Sequence, residues 1–146
     1  MVIFKSHKKL KLTKVATYER ANEGKTYPEG STIVQISATQ GQVFYLHKDQ
    51  PVESKYMVIT PKDIEPFYLY IVIKKGMPKF VSRYQTGLNI QADAFKLMTI
   101  DVHTERATQD FIADQMQRLE KTEKNIEITI EKAQRFKRKM LQDMFV

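Results

Sequence analysis

The stretch TERATQDFIADQMQRLEKTEKNIEITIEKAQRFKRKMLQDMFV (104–146) contains neither Gly nor Pro, and charges of both signs alternate along it. Thr104 is a suitable N-cap, with the acid Glu105 in the first turn. The pattern predicts one helix of about 40 residues, roughly 60 Å long at 1.5 Å per residue. Such a helix is too long to fold back on a domain of about 100 residues. Its apolar positions are periodic. Steps of four and three from Ile112 reach Met116, Leu119, Glu123, Ile126, Ile130, Ala133, Lys137, Met140 and Met144. Eight of these ten positions are apolar, a 3.5-residue repeat sustained over more than four heptads. That is the seam of a coiled coil, and it needs another helix.

The two polar positions select the orientation. In a parallel homodimer Glu123 faces its own copy, and so does Lys137. Each like-charge pair in the seam then costs more than about 1 kcal/mol. In an antiparallel pair centred near Ile130 and Ala133, Glu123 of one helix lies about one turn from Lys137 of the other, and the charges attract. The expected arrangement is an antiparallel homodimer, although a helix from a different protein could also satisfy the seam.

The basic look of EKAQRFKRKMLQDMF (131–145) suggests DNA contact, but the charge count points elsewhere. The net charge is +7 overall. Residues 104–146 hold nine basic and eight acidic residues, whereas residues 1–103 hold fifteen and nine. The excess therefore belongs to the N-terminal part, where it attracts phosphate backbones regardless of sequence. Lys5, Lys8, Lys9, Lys11 and Lys14 carry no acid among them. They fit either an exposed edge strand protected from pairing or a phosphate-contact surface. With 146 residues, 42% hydrophobic and 10% aromatic, the chain is ordered rather than disordered. No signal peptide or membrane span is expected, and the lack of Cys suits a cytoplasmic setting.

Residues 1–103 read as one mixed α/β domain. TIVQIS (32–37) and QVFYL (42–46) alternate as strands around the loop 38–41, and YMVIT (56–60) is a third strand stopped by Pro61. Asp63 is expected to cap a helix through PFYLYIVIKKG (66–76), with Pro66 in its first turn and Gly76 at its end. A further helix is expected from Met77 to Gln85, with Lys79, Arg83 and Gln85 outward, and FKLMTIDV (95–102) as a closing strand. The fold class is thus α+β, with residues 1–103 as a mixed domain and 104–146 as a long dimerisation helix.

Catalytic and metal-binding patterns are missing. No phosphate-cradling GxxxxGK[ST] loop, GxGxxG turn or HExxH helix occurs, and His7, His47 and His103 are isolated in sequence. The triplets Glu23–Lys25 and Glu53–Lys55 have a nuclease-like spacing, but only Asp49 sits close before the second. No catalytic residue, metal site or cofactor is expected. The chain reads as a binding protein.

Two motifs in fixed order resemble a known family. TGLNIQADAFKLMTI (86–100) precedes the long helix, which carries FKRKMLQDMF (136–145). Gly87, Asn89, Ile90, Leu97 and Ile100 fit the first motif; Lys139, Leu141, Gln142, Met144 and Phe145 fit the second. KLKLTKVATYERANEGKTY (9–27) and ISATQGQVFYL (36–46) occupy the places of further family segments. Together they resemble half of a type I restriction-modification specificity subunit, in which two recognition domains and two helices form one chain. The resemblance implies a non-catalytic, sequence-specific DNA-binding subunit whose helices pair antiparallel. It further implies a split target, palindromic for a homodimer, and docking of methyltransferase (modification) subunits and, through them, a restriction subunit. Candidate contacts to double-stranded DNA are Ser37, Thr39, Gln40 and Gln42 in the hairpin loop, with Lys79, Arg83 and Gln85. Two alternatives stay open: a small DNA-binding accessory or regulatory protein of the same fold, and an interaction-only module pairing with specificity or methyltransferase subunits.

Overall fold

Short apolar runs in the first half of the chain produce a sheet whose two central strands are buried on both faces. Residues 4–145 are described by the computed structural model. Strand β1 (His7–Lys11) leads through a 3-10 turn (Leu12–Lys14) to β2 (Ala16–Arg20). Five strands follow: β3 (Thr26–Tyr27), β4 (Thr32–Gln35), β5 (Val43–Tyr45), β6 (Gln50–Pro51) and β7 (Tyr56–Pro61). Helix α1 (Pro66–Tyr84), the hairpin β8 (Gln85–Thr86) and β9 (Asn89–Ile90), and a second 3-10 helix (Ala92–Leu97) come next. Strand β10 (Thr99–His103) and helix α2 (Arg106–Met144) complete the order.

The main sheet is antiparallel, in the order β2-β7-β4-β5. Ile33 and Val58 turn to one face, where they join Ala21, Tyr27, Leu46 and Val52 in a small core. Val34, Met57 and Ile59 point to the opposite face and are fully buried. Helix α1 packs against β4, β5 and β10. Strands β1 and β10 form a separate antiparallel pair, so the lysine-rich segment is an edge element with a partner.

Helix α1 departs from the sequence reading in two ways. Its N-cap is Glu65, not Asp63, and the Glu65 carboxylate accepts the Tyr68 N–H, with Pro66 at the first position. The helix also continues through Gly76 and Pro78 to Tyr84, joining the two expected helices into one of 19 residues. Gly and Pro in a helix interior cost about 1 and 3 kcal/mol. Burial of Met77 and Phe80, each worth about 1.5–3 kcal/mol, offsets that cost. The expected strand 95–102 is also corrected: its first residues form the 3-10 helix, and the strand begins at Thr99.

Helix α2 spans 39 residues, as its length and lack of breakers predict. Thr104 is not its cap. The Thr104 hydroxyl meets the Ser6 hydroxyl at 2.8 Å, and its N–H donates to the Ser6 carbonyl; the Glu105 carbonyl receives the Thr108 and Gln109 N–H groups instead. A compact unit runs to Ala113 and a second begins at Asp114, ten residues after the change in composition. The shift reflects the first turns of α2, where Thr108, Gln109 and Ala113 are buried. The Gln109 amide bridges there, donating to the His103 carbonyl and accepting from the Glu65 N–H. The Tyr68 hydroxyl accepts the His103 N–H and meets its ring Nδ1 at 2.7 Å; burial pushes that hydroxyl's pKa up, keeping it protonated. Taken by itself, the second unit is exposed at nearly every position, with i,i+4 ion pairs such as Arg135–Glu131 at 3.1 Å. Among the described residues no helix is long and apolar enough to cross a membrane.

Candidate nucleic-acid interface

The loop between β4 and β5 is held in an unusual backbone conformation. Ala38 has φ 47° and Gly41 has φ 86°, both in the left-handed region. For Ala38 this costs about 1–2 kcal/mol, and the conformation persists because its surroundings over-determine it. The Ala38 N–H donates to Asn89 Oδ1 at 2.9 Å, and the Thr39 N–H donates to the Leu88 carbonyl at 2.8 Å. Ile90 donates to the Ile36 carbonyl at 2.9 Å, and Gln85 Nε2 donates to the Thr39 carbonyl at 2.8 Å. The GLNI segment (87–90) is therefore a brace. Its β8–β9 hairpin clasps the loop, and the exposed Asn89 spends its Oδ1 on the loop backbone.

This network separates the candidate loop residues. Thr39 is only 2% exposed, and its hydroxyl accepts the Gly41 N–H and donates to Gln42 Oε1. Gln42 Oε1 also accepts the Gln40 N–H. Thr39 thus lies inside the loop instead of on its surface, and Gln42 and Gln85 are half-buried and spend polar groups on loop geometry. Ser37 is half-buried, and Gln40 is exposed at the tip. Expecting all of these as surface contacts overlooked the loop's own unpaired backbone groups, which need partners first.

Gly41 closes the loop against α1. A Cβ there would lie 2.7 Å from Val81 Cγ2 and 3.0 Å from Met77 Cγ, at a φ that L side chains rarely adopt. Gly41→Ala is expected to cost about 1–3 kcal/mol. Thermal unfolding checks the magnitude, and faster amide exchange at Thr39 and Ile90 locates the damage in the loop.

Lys79 and Arg83 lie elsewhere. At 100° per residue, Met77 and Val81, which face Gly41, are centred about 180° around α1 from Lys75, Lys79 and Arg83. The latter three line a groove of ≈ 480 Å³ between α1 and the β1–β10 pair, where Lys9 and Asp101 also stand. The expected outward face of Lys79, Arg83 and Gln85 is therefore divided: Gln85 joins the loop, and the two cations join the groove. Lys75 was missed because reading Gly76 as a helix end hid the four-residue spacing of 75, 79 and 83.

Among the described residues no three His, Asp or Glu side chains gather as a metal site. His7 and His103, distant in sequence, are register partners across β1 and β10, with ring centroids 6.3 Å apart. On α2 the seam is open: Ile126 is 54% and Ile130 52% exposed, and Leu119, Met140 and Met144 are also exposed. Ile112 and Met116 are half-buried, while Glu123, Ala133 and Lys137 are exposed.

Three solved structures are similar to this chain. One, from work on the structural basis of complex assembly and conformational transition of the type I R-M system, has a TM-score of 0.69 at 10% identity and covers 88% of this chain. The type I restriction-modification S subunit from M. genitalium gives 0.61 at 10% identity over 86% of this chain. The HsdS subunit from Thermoanaerobacter tengcongensis gives 0.60 at 12% identity over 84%. The match takes in 42%, 43% and 39% of those chains, so this chain spans about two-fifths of their length. No curated protein matches the sequence. The sequence pattern of one family, described as the type I restriction modification DNA specificity domain, matches residues 5–132. That match covers the recognition-type domain and most of α2, and the chain belongs to this family.

Proposed function

We propose that this protein is a half-size specificity subunit of a type I restriction-modification system, acting as an antiparallel homodimer. Residues 1–103 form the DNA-recognition domain, with the start of α2 packed into it, and residues 104–146 form the spacer helix. The observation that carries this reading is the exposed seam of α2 in a chain of this family. An apolar stripe left half-exposed over four heptads requires a partner helix.

In the dimer, two domains related by a two-fold axis read two identical half-sites in inverted orientation, giving a split palindromic target. Gln40 and Ser37 on the braced loop read base edges, while Thr39, Gln42, Gln85 and Asn89 fix the shape of the loop. The subunit performs no chemistry and holds no cofactor. Methyltransferase subunits dock on the dimer, and a restriction subunit joins through them.

Co-expression with a type I modification subunit tests the reading. The expected result is co-purification and methylation of a restricted set of duplex sequences. If neither appears, this assignment fails. If the subunits co-purify but duplex DNA is not bound at moderate salt, an interaction-only module replaces it.

A further inference from the structure

The groove between α1 and the β1–β10 pair holds more positive charge than the fold needs. Lys75, Lys79 and Arg83 recur every four residues on one wall, and Lys9 stands on the other. Among the described residues none of the four has a carboxylate within 4.0 Å. Asp101, the one acid in the groove, is the register partner of Lys9 and forms no such pair with it. The floor is apolar, formed by buried Val72, Phe80, Met98 and Ile100. Four exposed cations without a carboxylate partner, set over a low-dielectric floor, give the groove a positive potential that attracts an extended anion.

The spacing identifies the class of anion. From Lys75 to Arg83 the helix rises about 12 Å. One strand of duplex DNA carries a charge about every 3.4 Å along the axis, so this wall is matched to three or four phosphates. A single small anion would leave most of the cations unused. We propose that the groove seats the sugar-phosphate backbone of one DNA strand, gripped by Lys75, Lys79 and Arg83 on one side and Lys9 on the other. This rests on the reading that the domain binds DNA, and it divides the labour: the braced loop reads bases on one side of α1, and the groove fixes backbone position on the other.

The backbone contribution does not depend on sequence, so the unknown target is no obstacle. The full chain and a variant carrying Lys9→Gln, Lys75→Gln, Lys79→Gln and Arg83→Gln are titrated onto a labelled duplex of random sequence across a salt series. The slope of log affinity against log salt is expected to fall by about 0.9 for each phosphate no longer neutralised, close to 3.6 in all. Between 50 and 200 mM salt the parent should thus lose on the order of 100-fold more affinity than the variant. Because the four side chains rim an open groove, unfolding temperature should stay the same. An unchanged slope in a parent that does bind DNA overturns the groove assignment and spares the DNA reading. A parent that fails to bind overturns both. An unchanged slope together with failure to capture a modification subunit makes the groove a protein-docking surface, which also overturns the proposal.

Discussion

Glu123→Lys alone is expected to turn the proposed dimer into a monomer at micromolar concentration, and adding Lys137→Glu is expected to restore it. In the antiparallel arrangement the single change replaces two symmetry-related attractions with two repulsions. An exposed pair is worth up to about 1 kcal/mol, so reversing both shifts the dimer by about 2–4 kcal/mol. That is roughly 30- to 1000-fold in dissociation constant. The double variant recreates both attractions with their signs exchanged. A parallel coil behaves differently: Glu123 already faces Glu123, so Lys facing Lys changes little. Sedimentation velocity over a concentration series separates the outcomes. A monomeric parent protein, or a double variant that stays monomeric, sinks the antiparallel dimer.

The second large effect concerns Phe95, which is fully buried at the end of the 3-10 helix. Its ring packs at 5.1 Å from Phe80 of α1 and 6.1 Å from Tyr18 of β2, tying the helix to the sheet. Phe95→Ala is expected to cost about 3–5 kcal/mol. For a domain of this size that lowers the unfolding temperature by about 10–20 °C. Leu97, two residues on, is 48% exposed, and Leu97→Ala should change stability by no more than about 0.5 kcal/mol. The pair is diagnostic. On a strand, residues 95 and 97 share a face and would be buried together; on the 3-10 helix they part. Comparable losses from both substitutions, seen by calorimetry, would return this segment to a strand.

That segment shows where the sequence is hard to read. FKLMTIDV is rich in strand-forming residues, and nothing local reveals that Ala94 and Phe95 must turn inward while Leu97 turns out. Long-range packing decides it. Gly76 misled in the opposite direction, because local propensity favours a break there while burial of Met77 and Phe80 carries the helix through. Strand β2 went unread because ATYER alternates weakly and only its pairing with β7 identifies it. Helix α2 was legible along its length but not at its cap, since its period and lack of breakers are properties of the helix alone while Thr104 is drawn to Ser6. The loop of the candidate site was legible as a loop. Its internal hydrogen bonding was not, because the brace comes from residues about fifty positions away. Lys79 and Arg83 were expected on one outward face with Gln85, but only the fold shows that α1 stands between the two cations and the loop.

The pairing of β1 with β10 has a further consequence. It brings Ser6 and Thr104, 98 residues apart, within one hydrogen bond of each other. The path into the domain and the path out of it therefore meet at one point, directly before α2 begins. The first and last strands of the domain close on each other there, so one crossing at residues 104–105 leads into α2. Under the proposed function, a different recognition domain grafted at that crossing leaves the register of the helix seam unchanged.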